Sequence, residues 1–349
     1  MDAVVPSLFG LKKTNRDFTN KDSWGKNQFN SSFPAAMCCY LSSKDISSNY
    51  LSINNGIFSV NSITIKEAFG IDPNGDNTFF AFEAQHSPYQ KFVIGQLPRT
   101  DLVIQEIHSG ECLSGLEVKL TALPDNSTHS LSENLYGSEI VVRPDSIVYL
   151  ACSLAASLGD NLHKLIPDIK ISDWTDPKLV LEKIDIIVSS VRSICFSDFL
   201  SQKPFLIQPI WKTKGKQPEL TENCLDIFIW SDAGFSYFLT EIACSKTDAK
   251  SITRQTRTVI WLFKMLRDIK ANGHFNAEEV IDKLSFNTKN DKAFASNGSV
   301  TNKYMRCDRL STPIIKKTEI KNIILGGGQD LLSPERRFDA ILFNTPGLF

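Results

Sequence analysis

The chain is poor in the residues that build metal-binding and secreted scaffolds. Its eight cysteines, at positions 38, 39, 112, 152, 195, 224, 244 and 307, include no C-x-x-C pair. That spacing argues against a zinc ribbon, and the length argues against a disulfide framework. Five histidines, at 86, 108, 129, 163 and 274, include no H-x-x-x-H pair, so the usual helical zinc signature is missing. No apolar run approaches the roughly 20 residues needed to cross a bilayer. Before Lys12-Lys13 there is only Leu8-Phe9-Gly10-Leu11, too short for a secretory signal and in the wrong order relative to the charges. A cytoplasmic location is therefore expected, and Asn30-Ser31-Ser32, Asn126-Ser127-Thr128 and Asn297-Gly298-Ser299 become chance matches to the glycosylation pattern. A charge excess is lacking too, with 38 basic against 39 acidic side chains. Any basic surface for nucleic acid must then be local.

What remains is an ordinary globular composition, 42% apolar and 22% charged over 349 residues, enough for one large or two modest domains. There is no internal repeat. Residues 12 to 34 are polar with interspersed aromatics and read as irregular. Short strands are expected at Tyr50 to Ile53, Ile57 to Val60, Ser62 to Ile65, Phe79 to Glu83 and Phe92 to Ile94. Asp72-Pro73-Asn74-Gly75-Asp76 is a turn by composition. The clearest β unit joins Asp101 to Ile107 and Leu116 to Leu120 around Ser109-Gly110. Ser146 to Leu158 is an apolar helix stopped by Gly159, and Asp176 to Phe196 reads as a second helix opened by Pro177. Phe205 to Trp211 and Leu225 to Trp230 are strands around the basic turn Lys212-Thr213-Lys214-Gly215-Lys216. Residues 285 to 311 read as a polar loop, and Gly326-Gly327-Gly328 as a turn without phosphate-loop context.

Ala249 to Ala271 is patterned as an amphipathic helix. Ile252, Val259, Leu262, Phe263, Leu266 and Ile269 fall within an arc of about 120°, and Lys250, Arg254, Arg257 and Lys264 within about 80° roughly opposite. The basic stripe reads either as a solvated face or as a row facing phosphates.

One constellation carries chemistry. Asp101 opens an apolar strand directly after Pro98-Arg99-Thr100, and Glu117 and Lys119 lie in a second apolar strand. Residues i and i+2 of a strand share a face, so Glu117 and Lys119 go together, and a turn can bring Asp101 beside Glu117. Two carboxylates with the backbone carbonyl of Val118 form a hard-oxygen set of the kind Mg2+ prefers, and a lysine beside them can orient a water. Glu111, Asp125 and Asp145 are competing acids. Asp125 and Asp145 each follow a proline and look like turn or cap residues, while Glu111 lies in the hairpin loop. An E-x-K triplet is also what a surface strand uses for plain charge pairing.

Further residues bear a resemblance. Pro6-Ser7-Leu8-Phe9-Gly10, the run from Asn15-Arg16-Asp17-Phe18 through Trp24-Gly25-Lys26-Asn27-Gln28-Phe29-Asn30 to Pro34, Pro98-Arg99-Thr100-Asp101, Gly115-Leu116-Glu117-Val118-Lys119 and Arg143-Pro144-Asp145 resemble type II restriction endonucleases of the PD-(D/E)XK superfamily, and within it the HindVP family. The literal Pro-Asp is absent at the site, since Arg99-Thr100 separates Pro98 from Asp101, and Pro144-Asp145 follows E-x-K in the wrong order.

The resemblance implies an α/β fold, a mixed sheet flanked by helices with further C-terminal elements, and Mg2+-dependent cleavage of double-stranded DNA leaving 5′-phosphates. It implies Asp101, Glu117 and the Val118 carbonyl as metal ligands and Lys119 as the residue that positions water. A palindromic recognition sequence like GRCGYC would follow, read by a homodimer, with a DNA methyltransferase as genetic partner. Residues 1–200 would hold the nuclease core and 201–349 DNA recognition and dimerisation, unless the two form one continuous domain. DNA-facing surfaces are nominated at Lys26, Asn27, Gln28 and Asn30, at Lys212, Lys214 and Lys216, and at Lys250, Arg254, Arg257 and Lys264. A repair or recombination nuclease on the same core, and a DNA-binding protein without hydrolytic activity, remain as alternatives.

Overall fold

A computed structural model describes residues 11, 13–16, 26–54, 57–118, 144–197, 199–200, 205–208, 211–214, 217–220, 228–243, 252, 254–286, 333, 335, 337 and 339. The strands are β1 (Ser48–Asn54), β2 (Ile57–Ile63), β3 (Thr78–Ala84), β4 (Val93–Ile94), β5 (Thr100–Glu106), β6 (Cys112–Val118), β7 (Phe205–Gln208), β8 (Trp211–Lys214), β9 (Gln217–Leu220), β10 (Phe228–Ser231) and β11 (Phe275–Asn276). The main helices are α1 (Lys26–Ser43), α2 (Ile65–Phe69), α3 (Pro144–Leu158), α4 (Pro177–Leu181), α5 (Ile184–Cys195), α6 (Asp232–Ala243), α7 (Arg254–Asn272) and α8 (Ala277–Lys283).

Seven strands form one mixed sheet in the order β2-β1-β10-β7-β6-β5-β3. The β1–β10 and β6–β7 pairs are parallel and the others antiparallel. The architecture is mixed α/β, and the sheet takes strands from both sides of residue 200. Leu102, Val103 and Ile104 of β5 are all buried, so this strand is covered on both faces, which matches its unbroken apolar run.

Several elements depart from the sequence reading. The polar stretch expected to be irregular turns helical at Lys26, and α1 runs through Pro34. A proline inside a helix removes a hydrogen bond and costs about 3 kcal/mol. Burial of Phe33, Ala35, Ala36, Met37 and Cys38 offsets that cost. The strand expected to reach Ile65 ends at Ile63, because Thr64 caps α2 instead: its hydroxyl accepts from Glu67 N at 3.2 Å while the Glu67 carboxylate accepts from Thr64 N at 2.9 Å. The helix expected over Asp176 to Phe196 is broken at Glu182–Lys183 into α4 and α5, with Val180 buried in the first and Ile187, Val188, Val191 and Ile194 in the second. Phe205 to Trp211 divides between β7 and the start of the β8–β9 hairpin.

The helical core centres on α3 and α7, which pack against each other, with α5 and α6 around α7. Every residue of α3 from Ser146 to Ala155 is buried. In α7, every residue from Thr256 to Phe263 is buried. Over this stretch the amphipathic reading of α7 is corrected, since the helix is covered there on all sides. Further along, Lys264, Arg267, Asp268 and Lys270 are half-buried and Ala271 and Asn272 exposed. Arg257 is only 2% exposed. Its Nη1 donates to the Ser285 carbonyl at 3.0 Å, and its guanidinium lies 5.5 Å from the Trp261 ring centre. Trp261 in turn donates Nε1–H to the Leu284 carbonyl at 2.9 Å. These two bonds latch α7 to the end of α8.

Trp261→Phe keeps most of the buried ring and leaves the Leu284 carbonyl without that donor. Chemical denaturation is expected to show a loss of about 1–3 kcal/mol; an unchanged midpoint would mean that water readily replaces the indole.

Candidate active site

The β5–β6 hairpin fixes the geometry. Leu102 pairs with Leu116 and Val103 with Gly115, and a bulge at Ile104/Gln105 takes up the irregularity near the turn. One step further toward the open end, the same register sets Asp101 opposite Glu117. On the other side of β5, Phe82 pairs with Leu102 and Ala84 with Thr100, so Glu83 falls at the level of Asp101. Three acidic residues thus occupy one row across β3, β5 and β6. The parallel pairing of β6 with β7 places Leu206 beside Glu117 and Ile207 beside Val118. Asp101 is half-buried.

The segment Lys13–Arg16 lies along the outer edge of β3. Phe80 N donates to the Lys13 carbonyl at 2.9 Å, and Thr14 bridges Phe80 in parallel. The Asn15 amide then takes both backbone groups of Phe82, accepting from its N–H at 2.9 Å and donating to its carbonyl at 3.0 Å. This delivers Arg16 to Glu83, with Nη2 3.6 Å from Oε1. The guanidinium also lies 5.1 Å from the Phe82 ring centre, and its side chain is 10% exposed. Burial lowers the Arg16 pKa, while the charges of Glu83 and Asp101 oppose that shift. Glu83 itself adopts a left-handed φ of 50°, which non-glycine residues rarely hold without a compensating interaction.

Beyond β3, His86 is buried against the same hairpin. Its ring is 4.4 Å from that of Tyr89, and Tyr149 donates its hydroxyl to the Gly115 carbonyl at 3.0 Å. A Cβ at position 115 would approach His86 Nδ1 to 3.1 Å, so a larger residue there would have to push the imidazole back by a few tenths of an ångström. Burial pushes the His86 imidazole down to about 4.

Among the described residues, no group of three His, Cys, Asp or Glu side chains is arranged to hold a metal. The register brings together instead the positions of two acidic residues, Asp101 and Glu117, with Val118 next along β6. Such a hard-oxygen set fits Mg2+, which keeps waters in its remaining positions. Lys119 lies outside the described residues, as do Lys216, Lys250 and the competing acid Asp125. Glu111 is exposed in the β5–β6 turn, and Asp145 is exposed in the first turn of α3, so neither joins the row.

The nominated basic surfaces are scattered. Lys26, Asn27, Gln28 and Asn30 open α1 as helical positions rather than irregular ones. Lys212 and Lys214 lie on β8, paired in register with Glu219 and Gln217 of β9. Arg254 begins α7. The stripe along that helix is corrected at two positions, since Arg257 is buried. Lys264 bonds Asp268 Oδ1 at 2.6 Å and lies 5.6 Å from the Trp174 ring centre. Neither presents a bare cation to a phosphate. The part missed from sequence is the Arg16–Glu83 contact. Its signal was the Asn15-Arg16 pair inside the specific N-terminal run, whereas nothing marked Glu83.

The model of the HindVP restriction endonuclease family matches residues 24–349, and the chain belongs to that family. It is 52% identical to a Haemophilus influenzae protein named "Probable type II restriction enzyme HindVP", over 99% of this chain and 96% of the relative. It is 43% identical to "Type II restriction enzyme HgiDI" of Herpetosiphon aurantiacus, over 99% and 97% respectively. No solved structure matches.

The His86 environment sets an acid limb for stability. The unfolded imidazole takes up a proton as the pH falls through its ordinary value of 6.5, while the folded one resists until about 4. Stability is therefore complete above pH 6.5 and declines as pH falls toward 4, by up to about 3 kcal/mol from this group. His86→Leu should flatten that slope in urea unfolding at pH 7 and pH 4.5; a slope equal to wild type would remove His86 as its source.

Proposed function

We propose that this chain is a type II restriction endonuclease that cleaves double-stranded DNA at a specific sequence, using a Mg2+-dependent site of the PD-(D/E)XK kind. The observation that carries the proposal is the register of β5 and β6, which opposes the positions of Asp101 and Glu117 with Val118 next on the same strand, Lys119 being the following residue in the sequence. Full-length identity to proteins named as type II restriction enzymes supports the same conclusion.

Asp101 and Glu117 hold the metal with the Val118 carbonyl. When bound, Mg2+ supplies charge to the scissile phosphate and acidifies a water. Lys119 orients the attacking water and meets the negative charge that grows on phosphorus. The buried apolar residues on β5 and β6 hold the carboxylates' backbones rigidly. The products are a 5′-phosphate and a 3′-hydroxyl. Family resemblance favours a palindrome of the GRCGYC kind, and a twofold homodimer supplies two equivalent half-site readers. The segment 201–349 contributes recognition and dimerisation, and the basic positions at the start of α1 and on the β8–β9 hairpin are the nominated DNA contacts. A cognate methyltransferase protects the host, and the enzyme acts in the cytoplasm.

Asp101→Asn preserves shape and removes one charge. Cleavage of a mapped plasmid should be lost, while cognate DNA binds without metal at least as well as to wild type, because phosphate meets less repulsion. Lys119→Ala should cut at least about 100-fold more slowly while folding and binding normally. Wild-type cleavage by folded Asp101→Asn protein would remove Asp101 from the site.

A further inference from the structure

Arg16 and Glu83 have no part in the two-carboxylate scheme, yet both stand at its level in the sheet. Glu83 is flanked by the pairs that bracket Asp101, and Arg16 reaches Glu83 at 3.6 Å with the Asp101 charge within electrostatic reach. A plain anchor for the N-terminal segment is already in place, because the Asn15 amide and the Lys13 carbonyl bond β3 without any charge. Burying a guanidinium at 10% exposure is costly unless carboxylates meet it. Among the described residues, Glu83 lies at ion-pair distance and the Asp101 charge bears on the same guanidinium. The left-handed backbone of Glu83 is held at the same point.

We propose that Arg16 is a positioning residue of the cleavage site, its guanidinium serving as the resident counter-charge of the acid row until a divalent cation arrives. The proposal rests on the assignment of Asp101 and Glu117 as the metal-holding pair. Carboxylates opposed across adjacent strands repel one another. In the metal-free protein Arg16 offsets that repulsion and holds Glu83 in place. Once the cation is present the same positive charge opposes its binding, so Arg16 trades metal affinity for a site that is assembled in advance.

Two consequences distinguish this role from anchoring. Arg16→Gln should melt at a lower temperature without metal, and Mg2+ should restore more of its melting temperature than it adds to wild type. The same variant should bind Mg2+ in the absence of DNA about fivefold or more tightly, while Arg16→Lys, which retains the charge, should stay near wild type. The experiment is a calorimetric Mg2+ titration and a thermal melt with and without Mg2+, on the full chain without DNA. Wild type, Arg16→Gln, Arg16→Lys and Asp101→Asn are compared. If Arg16→Gln fails to fold, Glu83→Gln takes its place: it leaves the guanidinium less compensated and should weaken Mg2+ binding. Wild-type Mg2+ affinity in Arg16→Gln, with a melting deficit that Mg2+ does not narrow, overturns the proposal, as does unchanged affinity in Glu83→Gln. Loss of Mg2+ binding in Asp101→Asn alongside that result leaves the site assignment standing and rejects the role of Arg16 alone. Undiminished Mg2+ binding and cleavage in Asp101→Asn rejects the site itself.

Discussion

Hydrogen bonding between β5 and β6 sets Leu102 against Leu116, and the position of Asp101 relative to Glu117 follows from that pairing. Because side chains alternate along a strand, a slip of one residue would move Glu117 to the opposite face from Asp101. Burial of Leu102, Val103, Ile104 and Leu116 opposes the slip from both faces of the sheet. The close approach of His86 to Gly115 opposes it again, since any side chain brought beneath the imidazole would crowd it. Irregularity is confined to the turn end, where the bulge lies. Tolerance and precision are thus divided along one hairpin.

Charge is arranged with similar economy. The chain is nearly neutral, and several of its cations serve the interior rather than the surface. Arg257 bonds a carbonyl under α8, Lys264 and Arg267 flank Trp174, and Arg16 meets Glu83. Each buries an aliphatic stem against an aromatic ring while the head finds an oxygen or a π face. Counting basic residues along a helix therefore overstates what is left for a polyanion.

The hairpin was legible because two apolar strands flanking Ser109-Gly110 allow few alternatives, and α3 because thirteen nearly uncharged residues end at a glycine. The cross-strand placement of positions 101 and 117 follows from the same hairpin, since a turn between two strands brings their open ends together. Helix α1 was not legible: its amides and Pro34 carry the local signature of a loop, and only burial of Phe33 to Cys38 explains the helix. Helix α7 misled in the opposite direction. Its pattern is truly amphipathic, but the basic face is buried at Arg257, whose guanidinium donates to the Ser285 carbonyl, a partner that no periodicity reveals. Glu83 was invisible because its placement depends on a pairing between segments with no shared pattern.

The Asn15 contact with Phe82 has a bearing on how copies of this protein meet. β3 is the last strand of the sheet, and a bare outer strand is a template for pairing with another chain. The Asn15 side chain presents an oxygen and an N–H at the spacing of a peptide group. It ends the ladder without offering a new one. At Phe82 the edge of β3 is thereby capped by a side chain rather than by a further strand.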